Sequence, residues 1–257
     1  MLKSKIVMIT GASAGIGKAC AQSFAREGAR LILAARREEN LRQLAAELAT
    51  EHGTTCHLIT LDVRDRLAVN AAVEALPAEW QAVDILVNNA GLSRGLAKVQ
   101  EADFLDWDEM IDTNVKGLLW ISRAVLPGMI KRDAGQVINI GSVAGRQVYP
   151  GGNVYCATKY AVRALTQGLR IDLLGTRIRV SSVDPGMVET EFSEVRFRGD
   201  TERAAETYQN FPPLQAEDIA DAVLFCATRP PHVTIQDMLI MPQDQAAVYA
   251  SYPRGVE

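Results

Sequence analysis

Short apolar runs alternate with helical patterns along almost the whole chain, and this alternation limits the fold more than any other feature. The run at 5–10 is apolar and mostly β-branched, as expected for a strand buried on both faces of a parallel sheet. Comparable runs follow at 30–35, 56–61, 83–87, 137–140, 177–183 and 237–241. The pattern predicts a single α/β domain over residues 1–257, with a doubly wound parallel sheet of about seven strands flanked by helices.

The first strand leads directly into a glycine-rich loop and the start of a helix. Gly11, Gly15 and Gly17 have the spacing G-x-x-x-G-x-G, with Ser13 and Ile16 between them. Glycines let the backbone approach a ligand closely, and free amides at a helix N-terminus favour negative charge. The flanking strand and helix favour a pyrophosphate-binding loop over a tight turn that merely needs small residues.

Two arginines follow the second strand, where an enzyme that uses NAD has an acidic residue for the ribose 2′-hydroxyl. Here Ala35 occupies that position, followed by Arg36 and Arg37. Paired guanidinium groups can hold a 2′-phosphate, although they would also suit a solvated start of the next helix. Their distance from the glycine loop favours NADP over NAD.

A long helical pattern begins near Tyr155 and Lys159, which the four-residue spacing places on one helix face. A neighbouring ammonium favours the phenolate and would lower the tyrosine pKa towards the range of a general acid or base. Such a pair is also common on surface helices, so other motifs must decide its meaning.

Polar residues lie at other places where a ligand of an open α/β sheet would bind. Asp62 and Asn89 follow the third and fourth strands, and carboxyl ends of parallel strands face ligands in such sheets. Asn114 falls in the middle of a helical pattern at 104–131, where an asparagine usually points to solvent.

Together these residues resemble the short-chain dehydrogenase/reductase family over nearly the whole chain. The matching segments are Thr10-Gly11-x-x-x-Gly15-x-Gly17, Asp62-Val63, Asn88-Asn89-Ala90-Gly91, Asn114, Ser142, Tyr155-x-x-x-Lys159 and Pro185-Gly186. The resemblance implies a Rossmann-type fold and an NADP(H)-dependent oxidoreductase, with a mainly cofactor-binding half at 1–95 and a catalytic and substrate half at 96–257. It further implies cofactor contacts from Asp62, Val63, Asn89, Ala90, Gly91, Tyr155, Lys159, Pro185, Gly186, Val188 and Thr190.

The resemblance also assigns roles to a catalytic set of four. Tyr155 donates a proton to the substrate oxygen, and Ser142 hydrogen-bonds the same oxygen. Lys159 lowers the Tyr155 pKa and binds the nicotinamide ribose, while Asn114 links Lys159 to solvent through water. This chemistry requires no metal.

Further stretches resemble the NADP-dependent 3-hydroxy acid dehydrogenases, a group that includes serine dehydrogenases and malonic semialdehyde reductases. These stretches are 77–80, 110–114, 151–155, 191–200 and 207–210. The tail after Pro242 and the stretch 146–148 depart from that pattern. Sulfoacetaldehyde with isethionate is therefore an alternative pair. Two further candidate functions are a short-chain reductase for another carbonyl class and a non-catalytic NADP(H)-binding sensor.

The substrate is expected to be a short aldehyde or ketone with an anionic end. Arg196, flanked by Val195 and Phe197, lies in the segment 187–212 where the family's substrate lid is found. A partly dry arginine binds an anion strongly. Gln147 and Tyr149 could add neutral donors, with Ser142 and Tyr155 at the reacting carbonyl.

Charge and cysteine usage narrow the possible partners. The net charge of -4 argues against nucleic acid or an anionic membrane as a partner, and no apolar run approaches a membrane span, so we expect a cytoplasmic protein. The four cysteines and three histidines are scattered, which predicts neither disulfides nor a metal site. Apolar residues on several faces of the helices at 104–131 and 155–174 predict a homo-oligomer, and the resemblance implies a homotetramer.

Overall fold

One parallel sheet organises the molecule. The structure, a computed structural model, describes residues 2–254, so residue 1 and residues 255–257 of the predicted domain lie outside the described residues. The sheet strands are β1 (Ile6–Thr10), β2 (Arg30–Ala35), β3 (Cys56–Thr60), β4 (Ile85–Asn88), β5 (Gly135–Ile140), β6 (Ile178–Pro185) and β7 (Asp237–Ile240). They are ordered β3-β2-β1-β4-β5-β6-β7, and every pairing between them is parallel. The predicted doubly wound sheet of seven strands is confirmed.

Helices cover both faces of this sheet. They are α1 (Gly15–Arg26), α2 (Glu38–His52), α3 (Arg66–Glu74), α4 (Phe104–Ile111), α5 (Leu118–Arg132), α6 (Asn153–Asp172), α7 (Phe192–Arg196), α8 (Thr201–Glu206) and α9 (Ala216–Ala227). Short 3₁₀ turns occur at Ala78–Trp80, Val99–Glu101 and Val143–Gly145.

The side chains of β1 show why the strands are apolar throughout. Val7 and Ile9 pack in one core layer with Phe24 of α1, and Met8 packs in the opposite layer with Met129 of α5. Both faces are buried, and burying one such side chain contributes about 1.5–3 kcal/mol.

The strand order also decides where on the sheet a ligand can bind. From β1 the chain winds outwards to β3, returns to β4 beside β1, and winds outwards to β7 on the other side. The connections therefore diverge between β1 and β4, and a crevice opens at the carboxyl ends of these two strands.

Several helices begin at a polar side chain that accepts a backbone N–H bond. Asp65, Asp103 and Asp200 do so at the first turns of α3, α4 and α8. At α9, Gln215 and Asp218 form a reciprocal capping box.

The long helix predicted over 104–131 is divided. One π-helical turn, Asp112–Gly117, separates α4 from α5. Gly117 packs tightly here, since a Cβ on it would lie 2.7 Å from Cγ2 of Val63. A single wider turn hardly changes the apolar periodicity of the sequence, which is why the pattern did not indicate it.

Two segments outside the sheet also contain regular structure. The polar segment after residue 187 carries α7 and α8. The tail forms a small antiparallel hairpin from β8 (Gln245–Ala247) and β9 (Ala250–Ser251).

All four cysteines are free thiols. Between residues 2 and 254, His, Cys, Asp and Glu side chains do not gather in any group of three that could hold a metal ion. None of the helices in that range combines the length and apolar character needed to cross a membrane.

Candidate active site

A cavity of about 350 Å³ opens at the carboxyl ends of the central strands. Most of the cofactor residues expected from the sequence line it, namely Gly11, Ser13, Gly15, Ile16, Arg36, Arg37, Asp62, Val63, Asn89, Ala90, Gly91, Tyr155, Lys159, Pro185, Gly186, Val188 and Thr190. Gly17 is not among the lining residues.

The glycines of the loop after β1 have different physical roles. Gly11 and Gly15 have φ angles of +66° and +49°, which suit glycine because it lacks a Cβ. Gly17 is required for packing, since a Cβ there would lie 2.3 Å from the carbonyl oxygen of Gly11 and 2.5 Å from Nδ2 of Asn89. The loop thus presents open backbone to the cavity while Gly17 packs behind it.

Asn89 and Thr10 hold the loop against the end of β4. Nδ2 of Asn89 donates to the carbonyl oxygens of Thr10 and Gly11, at 2.9 and 3.2 Å. The Thr10 hydroxyl oxygen accepts from the backbone amides of Asn89 and Ala90, at 3.1 Å each. Asn89 therefore lines the cavity and braces the loop, a second role that its place after a strand did not indicate.

The two arginines after β2 lie at the mouth of the cavity, beside the glycine loop. Nε of Arg37 donates to Oγ of Ser13 at 3.3 Å, and its Nη1 forms a 2.8 Å ion pair with Glu191. Arg36 lines the same mouth. Two cations next to open loop backbone suit a phosphorylated ribose, so these residues fit NADP.

Asp62 at the end of β3 is ionised and held in place. Burial opposes its ionisation, but hydrogen bonds from Arg64, one of them 2.7 Å long, keep the pKa of Asp62 below its ordinary value. A fixed acceptor next to the Arg36–Arg37 mouth can bind the adenosine part of a dinucleotide.

Tyr155, Ser142 and Lys159 meet at the inner end of the cavity. All three are buried, with 8%, 9% and 7% of their surfaces exposed. The Ser142 hydroxyl oxygen accepts from the amide of Ala144 at 3.1 Å. Nζ of Lys159 donates to the carbonyl oxygen of Ile140 at 2.9 Å and lies 6.0 Å from the Tyr155 ring centroid.

The pKa of Tyr155 departs from its ordinary value in the direction opposite to the one expected. Burial raises the pKa, and the positive charge of Arg196 and the Ser142 hydroxyl lower it only in part. Burial also lowers the pKa of Lys159 to about 8, against the influence of the Asp184 carboxylate. Among the charges acting on Tyr155, that of Arg196 lowers its pKa most.

Asn114 points inwards, whereas an asparagine in the middle of a helix usually faces solvent. Its side chain is 2% exposed. Oδ1 accepts a hydrogen bond from the backbone amide of Leu92 at 2.8 Å. Nδ2 donates to the carbonyl oxygen of Leu92 and to Oγ1 of Thr158. The π-helical turn supplies this orientation. A Cβ on Gly91 would lie 3.2 Å from Oδ1 of Asn114 and 3.7 Å from Nζ of Lys159, so the missing side chain leaves space between these two groups.

Arg196 lies over the ring of Tyr155, although it is not among the residues that line the cavity. Its guanidinium carbon is 5.6 Å from the Tyr155 ring centroid and 5.2 Å from that of Phe192. Its Nη2 donates to the Tyr149 hydroxyl at 3.1 Å. Its Nε is buried and has no hydrogen-bond partner in the protein. A buried charged donor without a partner is rare, and it favours a ligand at this point.

Gln147, also expected to bind the substrate, has a hydrogen-bond partner in the tail. It is not among the residues that line the cavity, and its Oε1 accepts from the amide of Val248 in the tail at 2.8 Å. Tyr149 also lies behind the lining residues, and its ring packs against Gly152, where a Cβ would come within 2.3 Å of it.

The sequence did not indicate several residues that shape the site. Phe192 and Val195 form an apolar wall of the cavity. The Asp184 carboxylate, 2% exposed, is paired with Arg146 at 2.6 Å beside Gly141. Phe192 and Val195 belong to the segment 187–212, but only the folded structure shows that they line the cavity and that Asp184 pairs with Arg146.

Comparisons with known proteins agree with this geometry. The model of the short chain dehydrogenase family matches residues 5–200. The NADP-dependent 3-hydroxy acid dehydrogenase YdfG of Salmonella typhi is 49% identical over 251 residues, which are 97% of this chain and 100% of the relative. Sulfoacetaldehyde reductase 2 of Chromohalobacter salexigens is 47% identical over 95% of this chain and 96% of the relative. The closed form of serine dehydrogenase complexed with NADP+ superposes with a TM-score of 0.90 at 47% identity, covering 97% of this chain and 99% of that one.

Proposed function

The chain belongs to the short-chain dehydrogenase family, and we propose that it interconverts a short anionic aldehyde or ketone with the corresponding hydroxy acid, using NADP(H). Malonic semialdehyde with 3-hydroxypropionate, and the pair derived from serine, are the preferred substrates. The observation that carries this proposal is the unpartnered Nε of Arg196, buried above the Tyr155 ring.

Cofactor binding rests on the mouth of the cavity. Arg36 and Arg37 would hold the 2′-phosphate, and the backbone of Gly11 and Gly15 would receive the pyrophosphate. Val188 and Thr190 would contact the carboxamide. NADPH, when bound there, supplies the hydride for carbonyl reduction.

Tyr155 donates its phenolic proton to the carbonyl oxygen during reduction and takes it back during oxidation. Its raised pKa keeps the phenol protonated at neutral pH, the form that reduction requires. Ser142 donates a hydrogen bond to the same oxygen and stabilises the charge that develops on it. Lys159 would bind the nicotinamide ribose, and water beside Gly91 would connect it to Asn114 and carry protons to the site.

Arg196 would bind the acidic end of the substrate. Leaving a buried charged donor unpaired costs more than the 1–3 kcal/mol typical of a neutral group. A carboxylate above Tyr155 would pair with Nε, and Nη2 would remain on Tyr149. The substrate must be short, because the guanidinium carbon of Arg196 lies only 5.6 Å from the centroid of the Tyr155 ring, whose hydroxyl delivers the proton.

A sulfonate is the second candidate anion. The relative named sulfoacetaldehyde reductase 2 supports it, since this chain is 47% identical to that protein. The tail hairpin bound to Gln147 lies in the region where the sequence departs from the hydroxy-acid pattern.

Further proposals concern organisation. The cofactor half, residues 1–95, would hold the dinucleotide, and the segment 187–212 of the other half would act as the substrate lid. A homotetramer is supported by exposed apolar side chains on α5 and α6, including Ile130 at 49% and Ile171 at 74%. Sedimentation at micromolar concentration tests this, and a monomer would contradict it. Free cysteines support a reducing, cytoplasmic compartment.

The test is NADPH oxidation with a panel of carbonyl compounds of equal chain length that carry a carboxylate, a sulfonate or a neutral end. We expect the highest kcat/KM for the carboxylates. A preference for sulfonates would select the second candidate, and a preference for neutral bulky ketones would refute the anion site. No turnover with any compound, together with intact NADPH binding, would favour a non-catalytic sensor.

A further inference from the structure

We infer that Arg94, which lies outside the lid, positions the lid so that Arg196 can bind the substrate anion. This inference rests on the proposed function, because it assumes that Arg196 is the anion site. Arg94 would be a positioning residue that acts through α7 and touches neither the substrate nor the cofactor.

The lid helix needs support from outside. α7 has only five residues, and so short a helix is not stable by itself. Two hydrogen bonds from the segment 94–95 hold the C-terminal end of α7. Nη1 of Arg94 donates to the carbonyl oxygen of Val195. The backbone amide of Gly95 donates to the carbonyl oxygen of Arg196 at 3.0 Å. The backbone on either side of the Arg196 Cα is therefore bound to one external segment.

Arg94 is itself well fixed. Its side chain is 12% exposed, and its Nε donates to Oε2 of Glu109 on α4 at 2.5 Å. Glu109 also pairs with Arg64 at 3.3 Å, and Arg64 pairs with Asp62 at the cavity. The planar guanidinium can contact α4 along one edge and the lid along another, which a lysine ammonium cannot reproduce.

A second ion pair between the lid region and α4 is much more exposed than that of Arg94. Arg198 pairs with Asp106 of α4 at 2.5 Å, but its side chain is 56% exposed. An exposed ion pair contributes little, and this one does not contact the carbonyl groups beside Arg196. Arg198→Met is therefore a matched control, because it also removes an arginine contact between the lid region and α4.

A double-mutant cycle tests the inference. Arg94→Met, Arg196→Met and the double variant are assayed with an acidic aldehyde and a neutral aldehyde of the same length, and the ratio of the two kcat/KM values is compared. Arg94→Met should lower this ratio about tenfold, as expected for one charge-assisted hydrogen bond. In the Arg196→Met background, the same change should leave the ratio within about twofold.

The possible outcomes distinguish the positioning role of Arg94 from the anion site at Arg196. The positioning role would be overturned if Arg94→Met left the ratio of the two kcat/KM values unchanged, or lowered it equally in the wild-type and Arg196→Met backgrounds. It would also be overturned if Arg198→Met lowered the ratio as much as Arg94→Met does. An Arg196→Met enzyme with an unchanged ratio would instead refute the proposed anion site. If Arg94→Met does not fold, Arg94→Lys, which keeps the positive charge beside Glu109, should show a smaller fall in the ratio, and an unchanged ratio would count against the inference.

Discussion

Replacing Arg196 with methionine should reduce activity towards acidic substrates far more than towards neutral ones. Methionine keeps an unbranched side chain, so the space above Tyr155 is largely retained while the charge is lost. A charge-assisted hydrogen bond contributes about 1.5–3 kcal/mol. Because the guanidinium is partly buried and its Nε has no competing partner, the upper part of this range applies. We expect kcat/KM for a short semialdehyde acid to fall by roughly 10²-fold.

A second consequence should affect every substrate. The charge of Arg196 lowers the pKa of Tyr155, so its removal should raise that pKa further. Alcohol oxidation needs the deprotonated tyrosine, and its pH profile should therefore move to higher pH for acidic and neutral substrates alike. Carbonyl reduction uses the protonated form and should keep its rate with neutral substrates near neutral pH.

The assay follows NADPH consumption with pairs of acidic and neutral aldehydes of equal length, and NADP+ reduction with the matching alcohols across pH. Arg203→Met is the control: this arginine also lies over an aromatic ring, that of Phe197 at 4.3 Å, but it is exposed and has no buried, unpartnered Nε. The control should behave like the wild type. Equal losses for the acidic and the neutral substrate in Arg196→Met would refute the assignment.

The same geometry predicts three further outcomes. Tyr155→Phe should lower turnover by about 10²–10⁴-fold, with NADPH binding by fluorescence largely retained, and activity within a few-fold of the wild type would rule out the proton-donor role. Replacing Arg36 and Arg37 together with glutamine should raise the KM for NADPH much more than that for NADH, and equal changes would exclude a 2′-phosphate site. Burial lowers the pKa of Lys159 to about 8, which disfavours the charged form in the folded protein. The resulting penalty is present in full below pH 8 and is relieved as pH rises towards the unfolded pKa of about 10.4. In urea unfolding without cofactor, the free energy of unfolding of Lys159→Met should therefore exceed that of the wild type at pH 7 by up to about 3 kcal/mol. This difference should shrink at higher pH, and a difference that does not change with pH would contradict the reasoning.

The cofactor side of the site could be expected from the sequence because its determinants are local. Gly11 and Gly15 have positive φ angles within a single strand–loop–helix unit, and Arg36 and Arg37 directly follow the neighbouring strand. A parallel sheet brings the carboxyl ends of these strands to one edge whatever the distant packing may be.

Asn114 shows what helical periodicity alone leaves open. That periodicity by itself would leave the side chain in solvent, whereas the structure buries it against Leu92 and Thr158, which are 22 and 44 residues away. A π-helical turn turns it inwards, and no local propensity distinguishes that turn from the ordinary helix on either side.

Gln147 shows the same limit. Its position between Ser142 and Tyr155 suggested a substrate donor, and the structure adds that its Oε1 accepts a hydrogen bond from Val248, 101 residues further along the chain. A partner at such a distance depends on how the tail folds, which spacing near the active site does not indicate.

The sequence by itself determined the alternating strands and helices, the polar residues at the carboxyl ends of the strands and the candidate reactive side chains, since each depends on residues that are close in the chain. Only the tertiary structure decided which charges act on Tyr155. Lys159, its neighbour on the helix, is bound to the Ile140 carbonyl, and Arg196 of the segment 187–212 is the cation that lowers the tyrosine pKa most. The reason is that burial and Coulomb energy depend on distance and solvent access in the folded molecule, and these arise from contacts between segments far apart in sequence.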